Sequence, residues 1–215
     1  MLALLTGSGL AASSGLNAYI PLLTLGLLSR YPDTVTLPAG WQWLGGGWAL
    51  IVLAALLAIE TVADKIPVVD SANDVLQTVI RPTAGGLAFG ATSTSDAVTV
   101  NDPGSFFAHG QWVPVVIGVV LALVVHAGKA TARPVINTAT VGFGAPIVST
   151  LEDVASLSLS LIALLAPILV VVGLLGMAAL FWWSIRKIKA RRRRRHAAAT
   201  PTQLNQHPFS PIGPT

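Results

Sequence analysis

Glu60 and Asp64 stand four residues apart, as do Asp70 and Asp74, in the stretch ETVADKIPVVDSAND (60–74) that follows the apolar run WALIVLAALLAI. Four of the chain's nine carboxylates fall in this stretch. Residues four apart share one face of a helix, where two carboxylates can accept a cation or a proton. Carboxylate oxygens also suit magnesium or calcium, but these spacings match no defined ligand pattern, so a metal stays an open alternative. Glu60 lies about 7 Å from Lys65 along a helix rising 1.5 Å per residue. That depth is the hydrocarbon edge or the headgroup zone. A charge at the bilayer centre costs about 2.5–3.5 kcal/mol on insertion scales and less near a helix end. Such a residue needs a partner, a proton or a water-filled cavity. Arg81 follows Asp74 by two helical turns and completes a charge network with Asp70 and Asp74. The plainer alternative is a solvated cytoplasmic loop, with Glu60 and Asp64 reaching to water beside Lys65.

Two further residues carry a chemical signal. His126 closes the span VPVVIGVVLALVVHAGK, with Lys129 one turn on and Arg133 a turn further. It is either a proton relay or an interfacial histidine in contact with headgroups. Asn17 lies in the middle of the apolar segment SSGLNAYIPLL, four residues before Pro21. Proline removes a backbone donor and exposes the carbonyl four residues earlier. Gly15, Asn17 and Pro21 can therefore mark a broken helix whose backbone groups line a binding site. The alternative is a single amide hydrogen bond between helices. GFGAPIVSTLED offers a similar interruption around Pro146. There is no cysteine, which excludes disulfides and thiol chemistry. No P-loop, GxSxG or HExxH pattern occurs, so no cofactor is expected and enzyme chemistry has little support.

The elements that position these residues must work in hydrocarbon. The 215 residues are 53% hydrophobic and 10% charged, with mean hydropathy +0.71. Soluble domains carry about 25% charged residues. Eight of the thirteen basic residues lie in RKIKARRRRR (186–195), directly after LLGMAALFWWSI. This reads as a cytoplasmic juxtamembrane anchor for anionic headgroups, centred on Arg191 to Arg195, and not as a nucleic-acid contact. Residues 196–215, with four prolines, read as disordered. The division is a transmembrane domain, 1–185, and a basic tail, 186–215.

A span needs about 20 mostly apolar residues. Residues 48–65, 112–128 and 157–185 are clear candidates. Residues 2–28, 82–95 and 134–150 are weaker, rich in Gly, Ala, Ser and Thr, and open to interruption. The expected fold is all-α: a polytopic helical bundle of about six spans in a bacterial inner membrane. Both termini are cytoplasmic, because that orientation puts Lys65, Arg81, Lys129, Arg133 and the arginine tail inside. Arg81-Pro82 and Arg133-Pro134 each place proline where a helix can begin, and Ser149 to Asp153 read as a capping signature before the last apolar run. The strings IRPTAGGLAFGATST and ARPVINTATVGFGAPIVST hint at two related hairpins, 48–95 and 112–150.

The ordered set SSGLNAYIPLLTLGLL, ETVADKIPVVDSAND, IRPTAGG and GFGAPIVSTLED resembles the bacterial membrane family called domain of unknown function 4126. The resemblance covers residues 5–185 and implies a compact polytopic helical protein with no activity to carry over. It places Asn17, Glu60, Asp64, Lys65, Pro67, Asp70, Asp74, Arg81, Pro82, Glu152 and Asp153 in the segments typical of that family. The function expected from the residues is a small transporter or channel-like protein for an ion, small solute or lipid headgroup. An accessory subunit of a membrane complex, self-associating or bound to another membrane protein, is the alternative. A metal-dependent enzyme on lipid phosphates, with the acids as ligands and Arg81 as clamp, is a further one.

Overall fold

In an apolar solvent the backbone must satisfy its own polar groups, and a single chain segment can do so only as a helix. The computed structural model describes residues 1–31, 34–65, 67–93, 110, 112–140 and 144–199. Among these the chain forms helices α1 (Leu2–Leu16), α2 (Tyr19–Leu28), α3 (Gly47–Ala63), α4 (Pro67–Ser93), α5 (Trp112–Thr140), α6 (Gly144–Leu165) and α7 (Val170–Ala199). Short 3-10 turns occupy Ala39–Gly45 and Pro167–Leu169. No strand occurs among the described residues, so the all-α expectation holds.

Two stretches, Trp112–Arg133 and Pro146–Leu165, are long and apolar enough to cross a membrane. The turn Ala39–Gly45 and α3, bent by 58°, form a third if taken as one span. Their outer faces are greasy: Ile51, Val52 and Ile59 on α3, Val120 and Val124 on α5, and Val154 on α6 are exposed. Apolar surface of that extent is compatible with a membrane protein.

Helix α1 runs through the middle of the bundle and packs on α4, α5 and α6. It is buried from Gly9 to Leu16. Its Ser13 hydroxyl lies 2.8 Å from Ser156 Oγ and 2.7 Å from Ser160 Oγ, and donates to Ser156 O at 2.7 Å. Helices α4 and α5 make the most extensive contact, through glycine. A Cβ on Gly118 would run into Gly85 O, and one on Gly85 would come within 2.8 Å of Gly118 O. The backbones touch because no side chain stands between them, which is how small residues join helices in lipid.

Several expected boundaries move. Helix α4 starts at Pro67 and continues through Pro82; α5 continues past Pro134 to Thr140. Neither Arg-Pro step opens a helix. Proline is tolerated inside membrane helices where neighbours re-satisfy the freed backbone, and Pro82 is buried among them. Ser149 to Asp153 lie within α6, not at its start. The last apolar run is not continuous: Pro167 drives Ala166 out of the helical region, to φ −145° and ψ 67°, as a following proline does.

The chain divides into two compact units, Met1–Ala178 and Ala179–Thr215. In the second, α7 continues through the arginine run to Ala199, so residues 196–199 are helical where disorder was expected. Arg186 lies 5.1 Å over the Trp182 ring and Lys187 3.6 Å over Trp183. Residues 200–215 and the 94–109 connection lie outside the described residues.

Candidate functional site

Helix α3 inverts the usual partition. Most of its aliphatic side chains are exposed, and the residues it fully buries are Ala49, Leu50 and Glu60. Glu60 points inward because its partner is there: Arg81, from the middle of α4, sets Nη2 2.8 Å from Glu60 Oε1, with side-chain exposures of 0% and 1%. One helical turn beyond Glu60, Asp64 Oδ2 accepts contacts from three cations. Arg81 Nη2 lies at 3.5 Å, Lys129 Nζ at 3.3 Å and Arg133 Nη2 at 3.2 Å. Its other oxygen accepts a 2.9 Å hydrogen bond from Asn73 Nδ2. Glu152 on α6 closes the circuit, with Oε2 2.9 Å from Lys129 Nζ and 2.6 Å from Arg133 Nη2.

The cations also hold the end of α1. The last carbonyls of a helix lack intrahelical partners and carry its negative dipole end. Arg81 Nη1 lies 3.5 Å from Gly15 O, and Lys129 Nζ donates to Leu16 O at 3.1 Å. The break itself is stitched by Asn17, whose backbone is extended (φ −143°, ψ 126°). Its Oδ1 accepts from the amides of Tyr19 (3.0 Å) and Ile20 (3.2 Å), capping α2. Its Nδ2 donates to Asp153 Oδ1 at 2.9 Å. Pro21 falls in the first turn of α2, where an N–H has no helical partner to lose.

His126 joins from α5. Its Nδ1 lies 3.5 Å from Arg81 Nη1 and its Nε2 3.1 Å from Thr78 Oγ1. Guanidinium only donates, so in this contact Nδ1 can only accept.

Of the residues singled out from the sequence, Asn17, Glu60, Asp64, Arg81 and His126 converge here. Asp70 and Asp74 lie in the early turns of α4; their side chains are outside the described residues. Lys129, Arg133, Glu152, Asp153 and Asn73 belong to the same network and were not among those candidates. The signal was spacing. Asn73, Gln77 and Arg81 repeat every four residues on α4, as do Lys129 and Arg133 on α5, and Glu152, Ser156 and Ser160 on α6.

The network is not fully satisfied. Among the described residues, Glu60 Oε2, Arg81 Nε and Gln77 Oε1 are buried without a hydrogen-bond partner. Buried polar atoms are paired in the great majority of cases, so these three are exceptions within the cluster. No three carboxylates or histidines among the described residues gather to hold a metal ion. Glu60 and Asp64 are instead engaged by cations; the other two acids of the metal alternative, Asp70 and Asp74, have side chains outside the described residues.

Beside this cluster, α2, α3 and α6 enclose an apolar groove of about 440 Å³ with Asp153 in its wall. A second hollow of about 420 Å³, lined by Arg30, Thr36 and Gln42, lies beside the 3-10 turn Ala39–Gly45; Arg30 Nε donates to Gly45 O at 3.1 Å there.

A family model described as a domain of unknown function, DUF4126, matches residues 4–187. No curated protein and no solved structure matches the chain.

Proposed function

The chain belongs to the DUF4126 family, and from that premise we propose that it is a small multi-pass transporter or channel-like protein whose buried ion-pair cluster is its coupling element. The observation that carries this reading is Arg81, with no exposed surface, held between Glu60, Asp64 and the broken end of α1. Buried ion pairs are seldom retained for stability, since apolar replacements of similar volume are often neutral or stabilising. Ionisable groups inside membrane segments mark ion or substrate pathways by default. Protonation of Glu60 releases Arg81 from one carboxylate, and a cation competing for Asp64 Oδ2 releases Arg81 and Lys129 from another. Those cations also hold Gly15 O and Leu16 O, so the change passes to the α1–α2 break. A broken helix at the binding site is the arrangement transporters use to couple ion and substrate.

In this reading α3, α4, α5, α6 and α7 cross a bacterial inner membrane with the C-terminus cytoplasmic, while α1 and α2 form a hairpin bent at the cluster. Its far ends are Gly7 beside Phe89 and Gly26 beside Leu44, so the expected six spans with a cytoplasmic N-terminus give way to this arrangement. Lys65, Arg81, Lys129, Arg133 and Arg191 to Arg195 then lie on the inside, the last five against anionic headgroups. Proteoliposome flux tests the proposal. Proton or cation flux by the purified protein should be lost in a Glu60→Gln, Asp64→Asn double variant that still elutes as a folded species. Undiminished flux by that variant removes the cluster from the mechanism.

A second reading, an assembly subunit of a membrane complex, has one specific support: Arg81, Lys129 and Arg133 each already have a carboxylate, so the network can serve as a closed clasp. A stoichiometric partner recovered in mild detergent, with no flux by the purified chain, decides for it.

A further inference from the structure

The cluster leaves one carboxylate over. Among the described side chains, Glu60, Asp64 and Glu152 pair with Arg81, Lys129 and Arg133. Asp153 lies next to Glu152 in sequence and, among the described residues, forms no ion pair; it takes one hydrogen bond, from Asn17 Nδ2 to Oδ1. Asp153 is also the charged residue in the lining of the groove between α2, α3 and α6. The rest of the wall is nearly all aliphatic, including Leu23 and Leu27 from α2, Leu57 from α3, and Val154 and Leu157 from α6. Leu27, Val154 and Leu157 are 50%, 56% and 46% exposed, so the groove opens sideways on the outer face of the bundle.

We propose that this lateral groove binds a lipophilic cation, its apolar body against Leu23, Leu57 and Leu157 and its positive centre on Asp153. The volume falls within the range of small-molecule sites, about 300–1,000 Å³, which combine apolar walls with a few polar groups. The charge of the guest follows from the pairing: an anion would meet an uncompensated carboxylate, whereas a cation brings the missing partner. In a low-dielectric wall that attraction is strong. The resident competitor is Lys65, at the end of α3, whose Nζ donates to Thr61 O at 3.1 Å; Thr61 is itself part of the groove lining. A ligand entering from the lipid therefore reaches Asp153 without crossing the Arg81–Glu60 pair. This inference names a substrate class for the proposed transporter, but it concerns binding alone and stands or falls separately from flux.

The test uses the full chain in lipid nanodiscs and radiolabelled tetraphenylphosphonium, whose charge does not change with pH. Saturable binding above protein-free nanodiscs is expected, with triphenylphosphine oxide, neutral and of similar bulk, competing poorly. Asp153→Asn should weaken binding by about tenfold or more, because the fixed charge of the guest loses its partner in a low-dielectric wall, and Asp153→Glu should retain most of it. Leu157→Trp, at an exposed rim position that a folded chain tolerates, should block the groove independently. Equal binding by the wild type and by both Asp153→Asn and Leu157→Trp, or no saturable binding by the wild type, overturns the assignment. Loss of flux in the Glu60 and Asp64 variant with binding intact leaves it standing.

Discussion

Arg81 Nη2 and Glu60 Oε1 meet at 2.8 Å with neither side chain reaching the surface, and Glu60 belongs to a helix whose other fully buried residues are Ala49 and Leu50. The pair decides which way α3 faces. Leu, Ile and Val around the helix are equally at home in lipid or against protein, so apolar burial does not orient it. The carboxylate does, because an unpaired charge in hydrocarbon is the costliest outcome available.

Removing one partner should therefore cost much more than removing both. Arg81→Leu leaves Glu60 buried and short of a cation, a loss of about 3–5 kcal/mol. Glu60→Leu with Arg81→Leu should recover a large part of that. Thermal unfolding in detergent, run as a double-mutant cycle, reads the difference. Simple additivity of the two single losses would contradict the coupling.

Helix separation is the next point of leverage. Gly118→Val puts a branched side chain where Gly85 O now lies. The strain expected from overpacking is about 1–3 kcal/mol, seen as a lower melting temperature in the same assay. Gly176, with open space beside it, should accept Ala without such a loss.

Asn17 does two jobs that substitutions separate. Asn17→Asp keeps an oxygen for the Tyr19 and Ile20 amides but turns the Asp153 contact into an acid against an acid. Asn17→Ala loses both, and the cap alone is worth about 0.5–2 kcal/mol. Lowering the pH should raise the stability of Asn17→Asp relative to Asn17→Ala, because a shared proton turns the carboxylate pair into a hydrogen bond. Melting curves across the acid range would show it, and parallel curves for the two variants would refute it.

The absence of native cysteine makes sidedness directly measurable. With the cytoplasmic tail proposed above, Gln42→Cys should react with a membrane-impermeant maleimide on intact cells. Ala197→Cys should react only after permeabilisation. The reverse pattern inverts the orientation.

Composition and spacing alone determined that the chain is helical and apolar, that α1 breaks beside Asn17, and that Glu60 and Asp64 share a face. Each is local, set by residues within a turn or two. The same locality misled where proline was read without its surroundings. Pro82 and Pro134 look like helix starts by backbone chemistry, yet α4 and α5 pass through them, as membrane helices tolerate. Lys129 and Arg133 looked like topological charges beside His126, and Glu152 and Asp153 like a cap. Lys129 and Arg133 meet one carboxylate, Asp64, 65 and 69 residues away at the end of α3, and Asp153 meets an asparagine 136 residues away at the end of α1. Only the packing of five helices onto one point brought those groups together. Charges in hydrocarbon find each other at any sequence separation, since the field that pairs them acts through space while the pattern a sequence displays runs along the chain.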